Sequence, residues 1–343
     1  MSKVYFFPAD AQQSMVNALP KLYDKIAGDF AVHGKRVAIK THFGEKGNTT
    51  FLPPAFAKKI CDIVRTHGGE PELIECNTLY RGERLRTENH IKLAKAHGFD
   101  FAPVVICDDG GKNWNIASEG KHFKSIKAGA KLKDYEIMIA VTHCKGHIAA
   151  GYGGALKNIG MGLGSRAGKL EMHAKVKPIF ESAKCKACGI CASACPANAI
   201  VIEKYAVMDK AKCIGCATCI AVCPYGAVGI PWSGTTHEEI QERIVEYAHG
   251  ITGKIKTIYF NFLLNITPQC DCVADSGPVK MQDIGILASD DVVALEQASI
   301  DMINKAYGKD FFKESNRIEV SVQPAYAEAI GMGKRAYEIV KMA

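Results

Sequence analysis

The sequence predicts an α/β protein, a mostly parallel sheet with covering helices, interrupted by one inserted cysteine-dense segment. Three observations predict it. Short runs rich in β-branched apolar residues alternate with segments whose apolar residues recur every three or four positions. Several of those runs are apolar at every position, as strands buried on both faces are. The alternation stops near residue 184 and resumes after residue 231.

The candidate strands before the interruption are Val4–Phe7, Arg36–Phe43, Glu72–Cys76, Pro103–Cys107 and Glu136–Thr142. Between them, Pro53–His67 and Thr87–His97 carry helical periodicity and stop at Gly68 and Gly98. After the interruption, Thr236–Glu239 has the form of a capping box for a helix running to His249. Thr257–Asn265 and Asp283–Ala288 follow as buried strands, Asp290–Tyr307 as a long amphipathic helix and Pro324–Met342 as a closing helix. The simplest organisation is one discontinuous α/β domain, residues 1–183 and 232–343, with a module inserted at 184–231.

Composition narrows the function classes. The chain has 343 residues, 48% hydrophobic and 23% charged, enough for a full-sized core. No apolar run approaches the roughly 18 residues of a membrane span. The apolar stretch at the N-terminus is too short for a secretory signal, so a cytoplasmic location is expected. The formal charge of +7 is spread without a run of five like charges. Two four-thiolate [4Fe-4S] clusters, each carrying a net −2, would lower it to about +3. Nucleic acid is not an expected partner.

Eight of the fourteen cysteines fall between Cys185 and Cys223, and a reducing compartment turns such a block toward metal rather than disulfides. Cys185-x2-Cys188-x2-Cys191-x3-Cys195-Pro196 recurs 28 residues later as Cys213-x2-Cys216-x2-Cys219-x3-Cys223-Pro224. This is the bacterial two-cluster ferredoxin run, in which three close cysteines hold one cluster and the fourth holds the other. Two-residue gaps let the chain wrap three corners of a cube, and the last corner must come from a distant segment. Cys185, Cys188, Cys191 and Cys223 are therefore assigned to one [4Fe-4S] cluster, and Cys213, Cys216, Cys219 and Cys195 to a second. Zinc modules rarely show this doubled pattern with both prolines.

The stretch from His143 to His173 holds eight glycines interleaved with Lys157, Arg166 and Lys169. It follows a buried strand, where open α/β sheets place ligands, and reads as a glycine-rich loop able to bring amides and cations onto an anion. It is not a Walker loop, because Leu163 and Leu170 occupy the required glycine and hydroxyl positions. His143, His147 and His173 flank it, and His42 follows the second strand. Cys270-Asp271-Cys272 places two thiols one residue apart after a strand, a natural soft-metal chelate. Cys270, Cys272 and His143 form the candidate third metal site, and Cys270/Cys272 and the histidines are expected to line one pocket, with His147, Lys157 and His173 in reach.

The segments KTHFGEKGNTTFLPP (Lys40–Pro54), ECNTLYRGERLRT (Glu75–Thr87), HCKGHIAAGYGGALKNIGMGLGSRAGKL (His143–Leu170) and NITPQCDCVADSGP (Asn265–Pro278) resemble the Fe-S centre protein family, whose domain is the domain-of-unknown-function family 362. A more distant resemblance is to the nickel-pincer lactate racemases. His147 stands ten residues before Lys157 and His173 sixteen after it, around a Gly-Gly-x-x-Lys turn, Gly153–Lys157. That resemblance implies a lysine that tethers a cofactor and a histidine that acts as acid and base, making His147, Lys157 and His173 the candidate catalytic residues.

The expected function is an iron–sulfur oxidoreductase: two clusters exchanging electrons between a redox partner protein and a site in the α/β domain that takes a small anionic substrate. The alternatives are a ferredoxin-like carrier whose α/β domain only docks partners, and a racemase-like metal enzyme with structural clusters.

Overall fold

The protein is described by a computed structural model covering residues 1–174, 177–231 and 234–342. The expected boundary at Trp232 lies outside the described residues. The main sheet has eight strands: β1 (Ser2–Pro8), β2 (Arg36–Lys40), β3 (Glu70–Glu75), β4 (Val104–Ile106), β5 (Ile137–His143), β6 (Lys256–Leu263), β7 (Gly285–Ser289) and β8 (Tyr337–Lys341). Their spatial order is β8-β1-β7-β6-β5-β2-β3-β4. Only β7 runs against the rest, so the sheet is mostly parallel, as the apolar runs predicted.

Alternate residues of the strands supply two cores. Val37, Ile39, Leu73, Ile139, Ile258 and Phe260 face helices α1 (Gln12–Ala27) and α2 (Pro54–Thr66). Ala38, Ile74, Met138, Ala140 and Leu263 face the other layer. The first layer also receives Ala94 of α3 (Thr87–Ala96). Gly68 and Gly98 follow their helices at φ 76° and 88°, the left-handed conformation that made them readable as stops. α1 was not among the expected helices, although Met15, Leu19, Leu22, Tyr23 and Ile26 recur at helical spacing on its buried face, and Pro20 sits inside it.

Two expectations need correction. The glycine-rich stretch is not a loop: it runs from a short hairpin, Lys145–His147 with Gly151–Gly153, into two buried helices, α4 (Ala155–Leu163) and α5 (Arg166–His173). Its glycines remove side chains where other elements press in. A Cβ at Gly160 would collide with the Ile244 carbonyl oxygen, and one at Gly168 with the Lys127 carbonyl oxygen. The closing helix over Pro324–Met342 is also wrong. A short helix spans Val322–Ala329, the chain turns at Gly331 (φ 83°), and Tyr337–Lys341 becomes β8, parallel to β1. Backbone pairing with β1 overrides the helical periodicity there.

The cysteine block is built on a smaller scale. It holds two helices, α6 (Ile190–Ser193) and α7 (Thr218–Val222), which are 28-residue repeats of each other. Two antiparallel ribbons complete it, Ile179–Phe180 with Val228–Gly229 and Ile200–Ile202 with Ala206–Met208. Ile200, Ala206, Ile220, Val228 and Ile230 form its own apolar cluster, which packs on Leu79, Leu170 and Ala174 of the surrounding protein. Past the block, α8 (His237–Thr252) begins with the expected capping box: the Glu239 amide donates to Thr236 Oγ1 at 3.1 Å. α9 (Val292–Tyr307) follows β7.

Candidate functional site

The strands β2, β3, β5 and β6 point their carboxyl ends at one place. Lys40, Glu75, His143 and the segment after Leu263 converge there, the edge at which α/β sheets hold ligands. A cavity of about 250 Å³ opens at this edge, lined by His42, Arg84, His147, Lys157, His173 and Cys272 among others.

The cavity wall is cationic and tightly braced. Lys157, in the first turn of α4, donates from Nζ to Cys270 Sγ at 3.2 Å. Lys169 on α5 donates to the carbonyl oxygens of Gly162 (3.1 Å) and Gly164 (2.6 Å). Lys145 pairs with Asp271 at 2.9 Å. Arg84 pairs with Glu45 at 3.2 Å and donates to His42 Nε2 at 2.9 Å. At the floor, Lys40 is fully buried against Glu75 at 3.1 Å and donates to Asn158 Oδ1 at 2.7 Å. Burial lowers Lys40 from the usual lysine range, opposed by Glu75.

The three histidines are held neutral. Burial, followed by the neighbouring cations, puts His42 and His147 well below the usual histidine range. His173 falls to about 4, by burial first and then by Lys157 and Lys169. His147 Nδ1 accepts the amides of Ala149 (3.2 Å) and Ala150 (3.0 Å), so the proton of its neutral ring resides on Nε2.

Cys270 and Cys272 sit in a turn closed by the Val273 amide donating to the Cys270 carbonyl at 3.2 Å. The turn is clamped from several sides. Tyr80 donates to the Cys272 carbonyl at 2.9 Å, Asn48 to the Val273 carbonyl at 3.0 Å, and Asp271 is buried between His143 and Lys145. Although burial opposes ionisation, His143 and Lys145 hold Asp271 well below the usual carboxylate range. Burial alone would raise the Cys270 thiol. The hydrogen bond from Cys272 and the Lys157 charge reverse this and hold it below the usual thiol value, while Cys272 is pushed up.

The ligand atoms of His147, Cys270 and Cys272 lie within 4.8 Å of one another, close enough to share one metal ion. His143, expected in that role, is turned away from it. Its Nδ1 meets Asp271 at 3.0 Å and its Nε2 the Leu264 carbonyl at 2.7 Å, so both nitrogens are taken by acceptors. The structure thus brings His147, Lys157, His173 and the thiol pair together and leaves His143 as a brace. Arg84, Lys145 and the Lys40–Glu75 pair were not singled out in the sequence. Nothing in their local pattern marks them, since each acts through partners far along the chain.

Away from the pocket, the eight cysteines of the block line two cages. Cys185, Cys188, Cys191 and Cys223 line one. Cys195, Cys213, Cys216 and Cys219 line another. Amides point at the sulfurs: Ala187 and Ala206 donate to Cys185 Sγ at 3.4 and 3.3 Å, Ala199 to Cys195 Sγ and Ala227 to Cys223 Sγ at 3.3 Å each. Ala187, Gly189, Gly215 and Ala217, between the cysteines, all have positive φ, which curls the chain around the cages. Leu79 joins the two regions, lining the cationic cavity on one side and packing in the apolar cluster of the cysteine block on the other.

Fold and site together define a thiol-rich α/β protein with a buried cationic pocket at the carboxyl edge of its sheet. The chain belongs to the family described as Domain of unknown function (DUF362), whose profile matches residues 37–301. No curated protein matches it. Among solved structures it is similar to a protein from Thermotoga maritima, at 13% identity and a TM-score of 0.41, over 74% of this chain and 51% of that one. It is also similar to the lactate racemase apoprotein from Thermoanaerobacterium thermosaccharolyticum, at 13% identity and a TM-score of 0.47, over 89% of this chain and 58% of that one. The chain therefore matches little more than half the length of either structure.

Proposed function

We propose that the chain is an iron–sulfur electron-transfer protein acting as an oxidoreductase at the cationic cavity. One [4Fe-4S] cluster is assigned to Cys185, Cys188, Cys191 and Cys223, and the other to Cys195, Cys213, Cys216 and Cys219. The observation that carries this reading is the division of eight cysteines into two cages of four, each completed by the fourth cysteine of the opposite run. Such clusters supply single electrons at potentials set by their surroundings. The amides aimed at Cys185, Cys195 and Cys223 would stabilise the charge added on reduction. Leu79, shared by the two regions, gives electrons a short packed contact from the cysteine block to the cavity. In this reading residues 184–231 are a module inserted into the α/β domain formed by 1–183 and 232–343. An external redox protein supplies or takes the electrons, and a small anion is matched to Arg84, Lys145, Lys157 and Lys169.

Anaerobically prepared protein is expected to contain about eight iron and eight sulfide per chain, and Cys191→Ser or Cys219→Ser to remove about four of each. Four or fewer iron atoms in the unaltered chain after full reconstitution overturns the reading.

A second reading, a racemase-like metal enzyme with structural clusters, is favoured by one observation: His147, Lys157 and His173 line the same cavity. Turnover of a hydroxyacid that persists while all iron is held oxidised would select it.

A further inference from the structure

The thiol pair after β6 is the least explained part of the pocket. Its sulfurs belong to a group confined within 4.8 Å, inside a braced turn. Lys157 and the Cys272 amide (3.3 Å) both donate to Cys270 Sγ. Cys270 is buried, whereas Cys272 is half-buried and lines the cavity. A metal ion here would have to displace Lys157 from Cys270. It would also meet a histidine with no lone pair to offer, because Nδ1 is occupied by two amides and Nε2 bears the ring proton. Two-electron chemistry between the sulfurs asks for no such rearrangement.

We propose that Cys270 and Cys272 are a redox-active pair that cycles between the dithiol seen here and an intrachain disulfide, making the pocket a two-electron thiol–disulfide centre. On oxidation, Cys270 Sγ takes the Cys272 thiol proton along the hydrogen bond between them, Cys272 Sγ attacks one sulfur of an anionic disulfide, and the first thiolate leaves. Cys270 Sγ then attacks Cys272 Sγ, releasing the second. Dithiol and external disulfide become intrachain disulfide and two external thiols, with the two protons passing to the released thiolates. Reduction returns two electrons and two protons to the pair. The reductant is, by class, a low-potential one-electron carrier used twice. This inference rests on the electron-transfer reading above for its reductant, since two one-electron centres match one two-electron centre. The oxidant class follows from the wall, where Arg84, Lys145, Lys157 and Lys169 line the same cavity as Cys272.

The sequence gives a clean readout. Trypsin releases Thr257–Lys280, whose only cysteines are Cys270 and Cys272. The full chain, prepared anaerobically, is equilibrated with reduced and oxidised glutathione, alkylated and digested. The peptide is expected to pass reversibly from doubly alkylated to unalkylated and about 2 Da lighter, the mass of the two hydrogens lost. Lys157→Met is expected to lower its reduced fraction about tenfold at a fixed glutathione ratio, since the lysine favours the reduced sulfur. Cys272→Ser, checked for folding by circular dichroism, should leave Cys270 alkylated throughout. A peptide that stays doubly alkylated across the whole glutathione range overturns the proposal. So does one equivalent of Zn²⁺ or Ni²⁺ retained by the unaltered chain against a chelator and lost in Cys272→Ser. Iron and sulfide measured on the same sample separate the two readings. Missing clusters with a reversible disulfide sink the electron-transfer assignment alone, and intact clusters with an inert thiol pair sink this one alone.

Discussion

His90 is buried on α3, edge-on to Phe43 at 5.7 Å, with no hydrogen-bond partner for either ring nitrogen among the described residues. Burial, then the charges of Arg84, Lys169 and Lys40, holds it well below the usual histidine range. The folded protein therefore keeps this ring neutral at pH values where the unfolded chain protonates it. Below about pH 6.5 the unfolded state binds the extra proton, so stability falls as the pH drops, by up to about 1.4 kcal/mol per pH unit for one such group. His42, His147 and His173 are depressed in the same direction and steepen the same acid limb. Replacing His90 with leucine is expected to leave the melting temperature nearly unchanged at pH 8 and to raise it at pH 5. Calorimetric scans across that range check this, and an acid limb equally steep in both proteins would refute it. The pocket histidines also mark the limit of what spacing reveals. His147, Lys157 and His173 were legible as a set, but which of His143 and His147 would face the thiols was not. That choice is made by Asp271 and the Leu264 carbonyl, more than a hundred residues away from His143.

Among the elements, α4 and α8 cross closely because Gly160 offers no side chain to the Ile244 carbonyl. α4 also carries Lys157 and Asn158, so the crossing sets the height of the lysine over Cys270 and of the amide over Lys40. Gly160→Ala is expected to push the helices apart, costing about 1–3 kcal/mol as overpacking does. It should also weaken the Lys157 contact, so the variant should show both a lower melting temperature and faster alkylation of Cys270. An unchanged melting temperature would mean the helices already have slack. Glycine misleads a reader of sequence at this point. It is scored as a breaker, while its use here is to admit a neighbouring backbone that the local sequence does not display. α2, α3 and α8 were legible for the opposite reason, since their caps and stops are local chemistry. β8 was not, because its partner β1 lies at the other end of the chain.

For the whole molecule, the proposed division at residues 184 and 231 has a measurable meaning. The cysteine block holds its own apolar cluster and meets the rest through Leu79, Leu170 and Ala174. Replacing 184–231 with a short Gly/Ser linker is expected to leave a folded α/β protein with those three side chains uncovered. Far-ultraviolet circular dichroism should retain its helical signal while dye binding to apolar surface rises. Complete loss of helical signal would make the block part of the core rather than a guest in it.

The position of β1 adds a matter of timing. Tyr5 lies opposite Ala288 on one side and beside Val340 on the other, so both neighbours of the first strand come from the last part of the chain. On the ribosome, about 280 residues separate the emergence of Tyr5 from that of its first partner, roughly 15–60 s at ordinary rates of synthesis. The eight cysteines of the block leave the exit tunnel inside that interval. Completion of the cysteine block thus precedes completion of the sheet in each newly made copy. A nascent chain halted before Gly285 should already present its cysteine cages while its first strand still waits for company.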